Sequence, residues 1–285
     1  EYLTEKIHDM QEVCAKEGIT VKTAMFADIN GISMGQRDAM LANGVEFLYT
    51  NIHTHHGMYP LYQNQKPYFW ENEDGKRLLV WSGEHYNLGN ALGIVFNKNV
   101  NFMTENYFGK AQGDVAGPLE KLHSNLIASM EEYEENGYPY DFYITSVSGV
   151  FSDNAPINPA IADTVALFNE KYSEEVTLRM VTLQELYDLI RNKVADAPVY
   201  RGAINDWWGN GVGSTPYAVK HYKEAVRLNR ICDRLEEKTG VHNAELVKAY
   251  GDNSLLYAEH TWGHSATVTN PYDTMVTNLD MRKNS

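Results

Sequence analysis

The segment from 17 to 51 constrains the fold more than any other part of the chain. EGITVKTAMFA reads as a turn followed by an apolar strand, and Asp28 comes directly after it. Asn30 and Gly31 allow a sharp change of direction. Ser33 followed by Gln36 has the spacing of a capping box, which opens a helix to about Ala42. Asn43-Gly44 closes that helix, and 45–51 reads as a second strand. Strand, loop, helix and strand in that order predict two parallel strands, the grammar of an α/β protein. In such folds the carboxyl ends of parallel strands carry the catalytic groups, so Asp28 is a candidate. A local turn cap is the competing explanation for it.

The chain has 285 residues, enough for one large domain or one large and one small. Helices are predicted over 3–16, 118–135, 158–172, 182–193, 215–237 and 242–250. Thr182 with Glu185 is a second capping box, and Thr215-Pro216 opens the longest helix. GKRLLVWSG, 141–147 and 176–181 are predicted strands. Residues 52–75 are expected to form a long loop rich in His, Tyr, Gln and Asn, and loops of that length are usually functional. Residues 83–115 are expected to run irregularly over one face, and 202–214 to form another loop. The expected architecture is an incomplete or distorted (β/α)7-type barrel followed by the start of a helical bundle. The expected partition is an α/β barrel-like domain over 1–213 and a helical segment over 214–285.

Asp153 stands in a loop after a predicted strand, as Asp28 does. Two carboxylates converging from separate strand ends suit glycoside cleavage, one attacking the anomeric carbon and the other protonating the leaving oxygen. Asp206 is a third candidate carboxylate, flanked by Trp207 and Trp208, which could form a subsite wall or belong to the core. His53, His55 and His56 form a dense cluster in which 53 and 55 would share one face of a strand. Clustered imidazoles can bind zinc or serve only as hydrogen-bonding groups. His260 and His264 form a second pair beside Glu259. Trp70, His85 and Tyr86 complete the candidate substrate contacts. His8, His123, His221 and His242 lie in predicted helices and read as surface or packing residues.

The formal net charge of -14 argues against a nucleic-acid backbone as partner. No run of 18 apolar residues exists, so no membrane span is expected. Cys14 and Cys232 have no metal-binding spacing and do not identify a redox compartment. Phosphate-loop, dinucleotide-binding and nucleophile-elbow motifs do not occur. The chain contains 19 Tyr, 9 Phe and 5 Trp, often beside Asn, Asp, His and Gly, a composition compatible with sugar stacking.

FADINGISMGQRDAMLANGVEFLYTN resembles the nucleophile segment of glycoside hydrolase family 38, the α-mannosidase family. KPYFWENEDGKRLLVWSGEHY resembles the strand placed next in divergent bacterial members. SGVFSDNAPINPAI resembles the segment with the acid/base aspartate, and AINDWWGNGVGSTPYAVKHYKEAVRLNR the passage into a helical bundle. EHTWGHS looks like the late motif in which a histidine completes a zinc site. The resemblance implies a retaining, zinc-dependent glycosidase with Asp28 as nucleophile and zinc ligand, Asp153 as acid/base and His260 as a further ligand. It also implies a His-x-Asp pair of ligands before Asp28, which this chain lacks, so the expectation is either a longer polypeptide with further domains or a diverged site. The alternatives are a metal-dependent polysaccharide deacetylase, a carbohydrate-binding domain with a decayed site, and a barrel-type sugar isomerase.

Overall fold

The computed structural model describes residues 2–27, 31–51, 60–62, 64–86, 88–95, 116–147, 159–205, 209, 212–213 and 215–258. The described residues divide into two compact units. One comprises 21–27 and 44–201, the other 1–20, 28–43 and 202–285.

The first unit is built on a five-stranded mixed sheet. Its strands are β1 (Thr23–Ala27), β3 (Phe47–Asn51), β4 (Lys66–Glu71), β5 (Arg77–Gly83) and β6 (Val199–Tyr200), in the order β1-β3-β5-β4-β6. β1, β3 and β5 run parallel, as the strand-helix-strand reading predicts. β4 runs antiparallel to β5, and among the described residues the sheet does not close into a ring. The architecture is thus a mixed α/β fold with C-terminal helices. All of β3 and most of β5 are buried, which explains their unbroken apolar sequences: both faces of these strands are covered.

Residues paired in register point to the same face. On one face, Phe47, Tyr49, Leu79 and Trp81 pack with Ile144, Leu186, Ile190 and Val194. Leu186 and Ile190 come from the helix Leu183–Ile190, whose predicted Thr182–Glu185 capping box is present. A separate cluster joins three helices, α3 (Leu88–Leu92), α4 (Ala116–Glu135) and α5 (Ala160–Tyr172), through Leu92, Leu119, Leu122, Leu126 and Phe168. The helix Leu183–Ile190 is α6. Each fully buried Leu or Phe contributes about 1.5–3 kcal/mol.

Three expectations are corrected here. Residues 66–71, expected within a loop, form β4 through a tight turn in which Gly75 adopts φ 77° and donates to the Asn72 carbonyl at 3.1 Å. Pro67, which argues against a central strand, is tolerated because β6 pairs only with Phe69 and Trp70. Residues 142–147 are not a ladder strand. Their carbonyls are taken individually: Gln65 donates to Ile144 at 2.7 Å and the Gly89 N–H to Ser146 at 2.8 Å. Residues 176–181 also lack a ladder. The Asn169 side chain donates to the Leu178 carbonyl and accepts from its N–H, both at 2.8 Å, in place of a neighbouring strand.

The second unit contains α1 (Tyr2–Lys16), α2 (Met34–Ala42), α7 (Pro216–Thr239) and α8 (Ala244–Tyr257), with a two-residue antiparallel pair of β2 (Gly31–Ile32) and β7 (Ile204–Asn205). The Ser33–Gln36 capping box is present at α2. Asn43 ties the end of α2 to α1 by donating to the Thr4 carbonyl at 3.0 Å. Tyr2 joins the helices: its ring meets Tyr250 edge-on at 5.3 Å, and its hydroxyl donates to Asn229 at 3.5 Å. Gly251 makes room for that ring, since a Cβ there would lie 2.6 Å from it. Cys14 and Cys232 are free cysteines. No helix among the described residues is long and apolar enough to cross a membrane.

Candidate functional site

The carboxyl edge of the three parallel strands positions a layer of polar side chains. Register places Ala27 beside Asn51 and Asn51 beside Gly83. Asp28 follows the first in sequence and Glu84 the last. Asn51 is buried, and its amide donates to the Glu84 carbonyl at 2.6 Å, the Tyr49 hydroxyl at 3.3 Å and Ser146 Oγ at 3.4 Å. Ser146 Oγ donates to the Tyr49 hydroxyl at 3.0 Å. Burial raises the Tyr49 pKa above the ordinary value, against the hydrogen bonds from Ser146 and Asn51, and the nearby Glu84 charge adds to the rise. Gly83 is required here because a Cβ would lie 2.8 Å from the Tyr49 hydroxyl. Among the described residues, Asn51 Oδ1 and Ser82 Oγ are buried without a hydrogen-bond partner.

Beside this edge lies a cavity of about 450 Å³. Glu84 stands in its wall, with Oε1 accepting from the Tyr133 hydroxyl at 2.6 Å and from the Asn64 amide. Asn64 also donates to the Tyr133 hydroxyl at 3.2 Å. Hydrogen bonds to a carboxylate are shorter and stronger than neutral ones, so this group is held in one orientation. Ser129, Glu132 and Tyr133 recur at helical spacing, so one face of α4 lines the cavity, and Asn136 follows directly after its end. Lys66 enters from β4, and Tyr138 and Tyr143 from the chain after α4. Burial pushes the Tyr143 hydroxyl up to about 12; its contact with Ser129 at 3.1 Å opposes this, and Glu84 reinforces it.

Gln65 fixes the cavity's first two residues. It is fully buried and adopts φ 49°, the left-handed region that non-glycine residues avoid. Its amide nitrogen donates to the Ile144 carbonyl at 2.7 Å, and its oxygen accepts from the Trp81 indole at 3.1 Å. These bonds hold the strained backbone that turns Asn64 and Lys66 toward the cavity.

Of the expected site residues, His85 and Tyr86 follow Glu84 directly, with their rings 4.3 Å apart, and both are half-buried. Trp70 is fully buried on the opposite face of the sheet from Tyr49 and Trp81. Asp28, His53, His55, His56, Asp153, Asp206, Trp207, Trp208, His260 and His264 lie outside the described residues. The two expected zinc ligands in this chain, Asp28 and His260, are among them. Within the described residues, no group of three or more His, Cys, Asp and Glu is arranged to hold a metal. His8 and His123 sit in helices as expected, His8 facing Glu12 and His123 stacked on Tyr172 at 4.1 Å, whereas His242 lies just before α8 and faces Glu236. Sequence reasoning missed Glu84. The signal was present, because Glu84 follows an apolar strand just as Asp28 does.

No protein-family model and no curated protein sequence matches the chain. Among solved structures it has a distant similarity to glycoside hydrolase folds. An α-mannosidase from Enterococcus faecalis is 15% identical, with a TM-score of 0.45, over 67% of this chain and 19% of that one. The α-amylase AmyC from Thermotoga maritima is 13% identical, with a TM-score of 0.46, over 99% of this chain and 64% of that one. This chain therefore spans about a fifth of the first and less than two thirds of the second. Likeness at this level assigns neither family nor activity.

Proposed function

We propose that this chain is the α/β part of a glycoside-cleaving protein of retaining, α-mannosidase-like type, with its sheet forming part of a distorted (β/α)7-type barrel. The observation that carries the reading is the aligned carboxyl edge of β1, β3 and β5, where Ala27, Asn51 and Gly83 end side by side and two of the three strands are followed at once by a carboxylate. That is where α/β enzymes collect their reacting groups. The order of motifs around Asp28 and Asp153 supplies the roles. Asp28 attacks the anomeric carbon and forms a glycosyl ester while Asp153 gives its proton to the leaving oxygen. Asp153 then takes a proton from water, which displaces Asp28 and releases the sugar. Carboxylates acting in this way stand about 5–5.5 Å apart.

Zinc enters the reading through the resemblance alone, as the metal expected at Asp28 and His260. Elemental analysis of the purified natural protein before and after chelation tests for it. The decisive experiment on the reaction is Asp28→Ala in the natural full-length protein, assayed on α-linked glycosides. Turnover should be abolished while the protein stays folded; undiminished turnover would remove Asp28 from the nucleophile's role.

A further inference from the structure

We infer that the Glu84 cavity is a binding site for an uncharged sugar unit, a role that does not depend on cleavage at Asp28. The lining decides the ligand class. Glu84 Oε1 is already engaged by Tyr133 and Asn64, which fixes the carboxylate plane and, among the described residues, leaves Oε2 to accept from a ligand. Lys66 and Glu132 also line the space, and neither has a side-chain partner among the described residues. Glu132 and Asn136 stand at the exposed rim, while Glu84, Lys66, Tyr133 and Tyr143 are half-buried. The cavity therefore offers carboxylate acceptors, an ammonium donor and amides that both donate and accept, beside tyrosine rings.

Sugar hydroxyls also donate and accept, and their C–H faces lie against aromatic rings. Two carboxylates against one ammonium disfavour an anionic ligand. The volume of about 450 Å³ falls within the range of small-molecule sites, roughly 300–1,000 Å³. The wall is also prearranged. The left-handed Gln65 and the Glu84–Tyr133–Asn64 hydrogen bonds set its shape before a ligand arrives, which lowers the ordering cost of binding.

The test is calorimetric and saturation-transfer NMR titration of the whole chain with mannose, glucose and their α-linked disaccharides, alongside Glu84→Gln and Glu132→Gln. A saccharide should bind the parent chain, and Glu84→Gln should weaken binding about tenfold or more by removing charge-assisted hydrogen bonds. Glu132→Gln, a rim change that leaves the core untouched, should weaken it less. Circular dichroism and melting curves confirm that each variant is folded. Binding of an organic ammonium ion in preference to every sugar overturns the assignment, as does no sugar binding, or sugar binding indifferent to both glutamate changes. Sugar binding without turnover would sink the cleavage reading and leave this one standing. Turnover with binding indifferent to both glutamate variants would do the reverse.

Discussion

Gln65 shows how much of the site depends on a single side chain. Its two hydrogen bonds satisfy the Trp81 indole N–H and the Ile144 carbonyl, and they hold a backbone conformation that costs about 1–2 kcal/mol in a non-glycine residue. Gln65→Ala leaves both partners without it and keeps the strain. The expected loss is roughly 2–5 kcal/mol, read as a lower urea midpoint at constant slope. Gln65→Gly loses the same bonds but relieves the backbone, so it should be milder by about 1 kcal/mol. Equal losses would show that the positive φ is not strained. None of this was legible in the sequence. A glutamine in a polar stretch looks like a loop residue, and its partners lie far along the chain at Trp81 and Ile144.

At the scale of elements, the sequence was readable wherever the stabilising contacts are local. Both capping boxes formed as predicted because Ser33 with Gln36 and Thr182 with Glu185 need only three residues of chain. The expected strands at 141–147 and 176–181 form no ladder because a strand-like sequence says nothing of what completes its hydrogen bonds. Asn169 supplies that completion for Leu178. Asn169→Ala should therefore cost about 1–3 kcal/mol and speed hydrogen exchange at the Leu178 amide, with little change at the Thr182 cap. Slow exchange at Leu178 in the variant would show that something other than Asn169 protects the segment. The candidate site follows the same logic. Asp28 stood out because its strand, loop and cap are contiguous, whereas the Glu84 cavity gathers residues from 64–66, 84–88 and 129–143 that no local pattern connects.

At the scale of the molecule, the abundance of tyrosine noted in the sequence reappears as a constraint on pH. Tyr49, Tyr68, Tyr138 and Tyr143 all have pKa values raised mainly by burial, and Glu84 adds to the rise at Tyr49 and Tyr143. A group whose pKa is higher in the folded state binds its proton more tightly there, so the folded state is favoured below the unfolded value. That advantage disappears as pH climbs through the folded value. For Tyr143 the window runs from 10.0 to about 12. With 1.36 kcal/mol per unit, its full contribution is at most about 3 kcal/mol. The net charge of -14 grows more negative over the same window and adds self-repulsion. The chain should therefore keep its stability up to the ordinary tyrosine range and lose it steeply above, with the buried tyrosines ionising together with unfolding. Tyr143→Phe separates this residue from the rest. It gives up the contact with Ser129 and so should be about 1 kcal/mol less stable near neutral pH, yet its stability should fall less steeply through the alkaline window. Parallel losses in parent and variant, measured by urea unfolding across that window, would mean that Tyr143 ionises as freely in the folded chain as in the unfolded one. The burial held to raise the Tyr143 pKa would then be wrong.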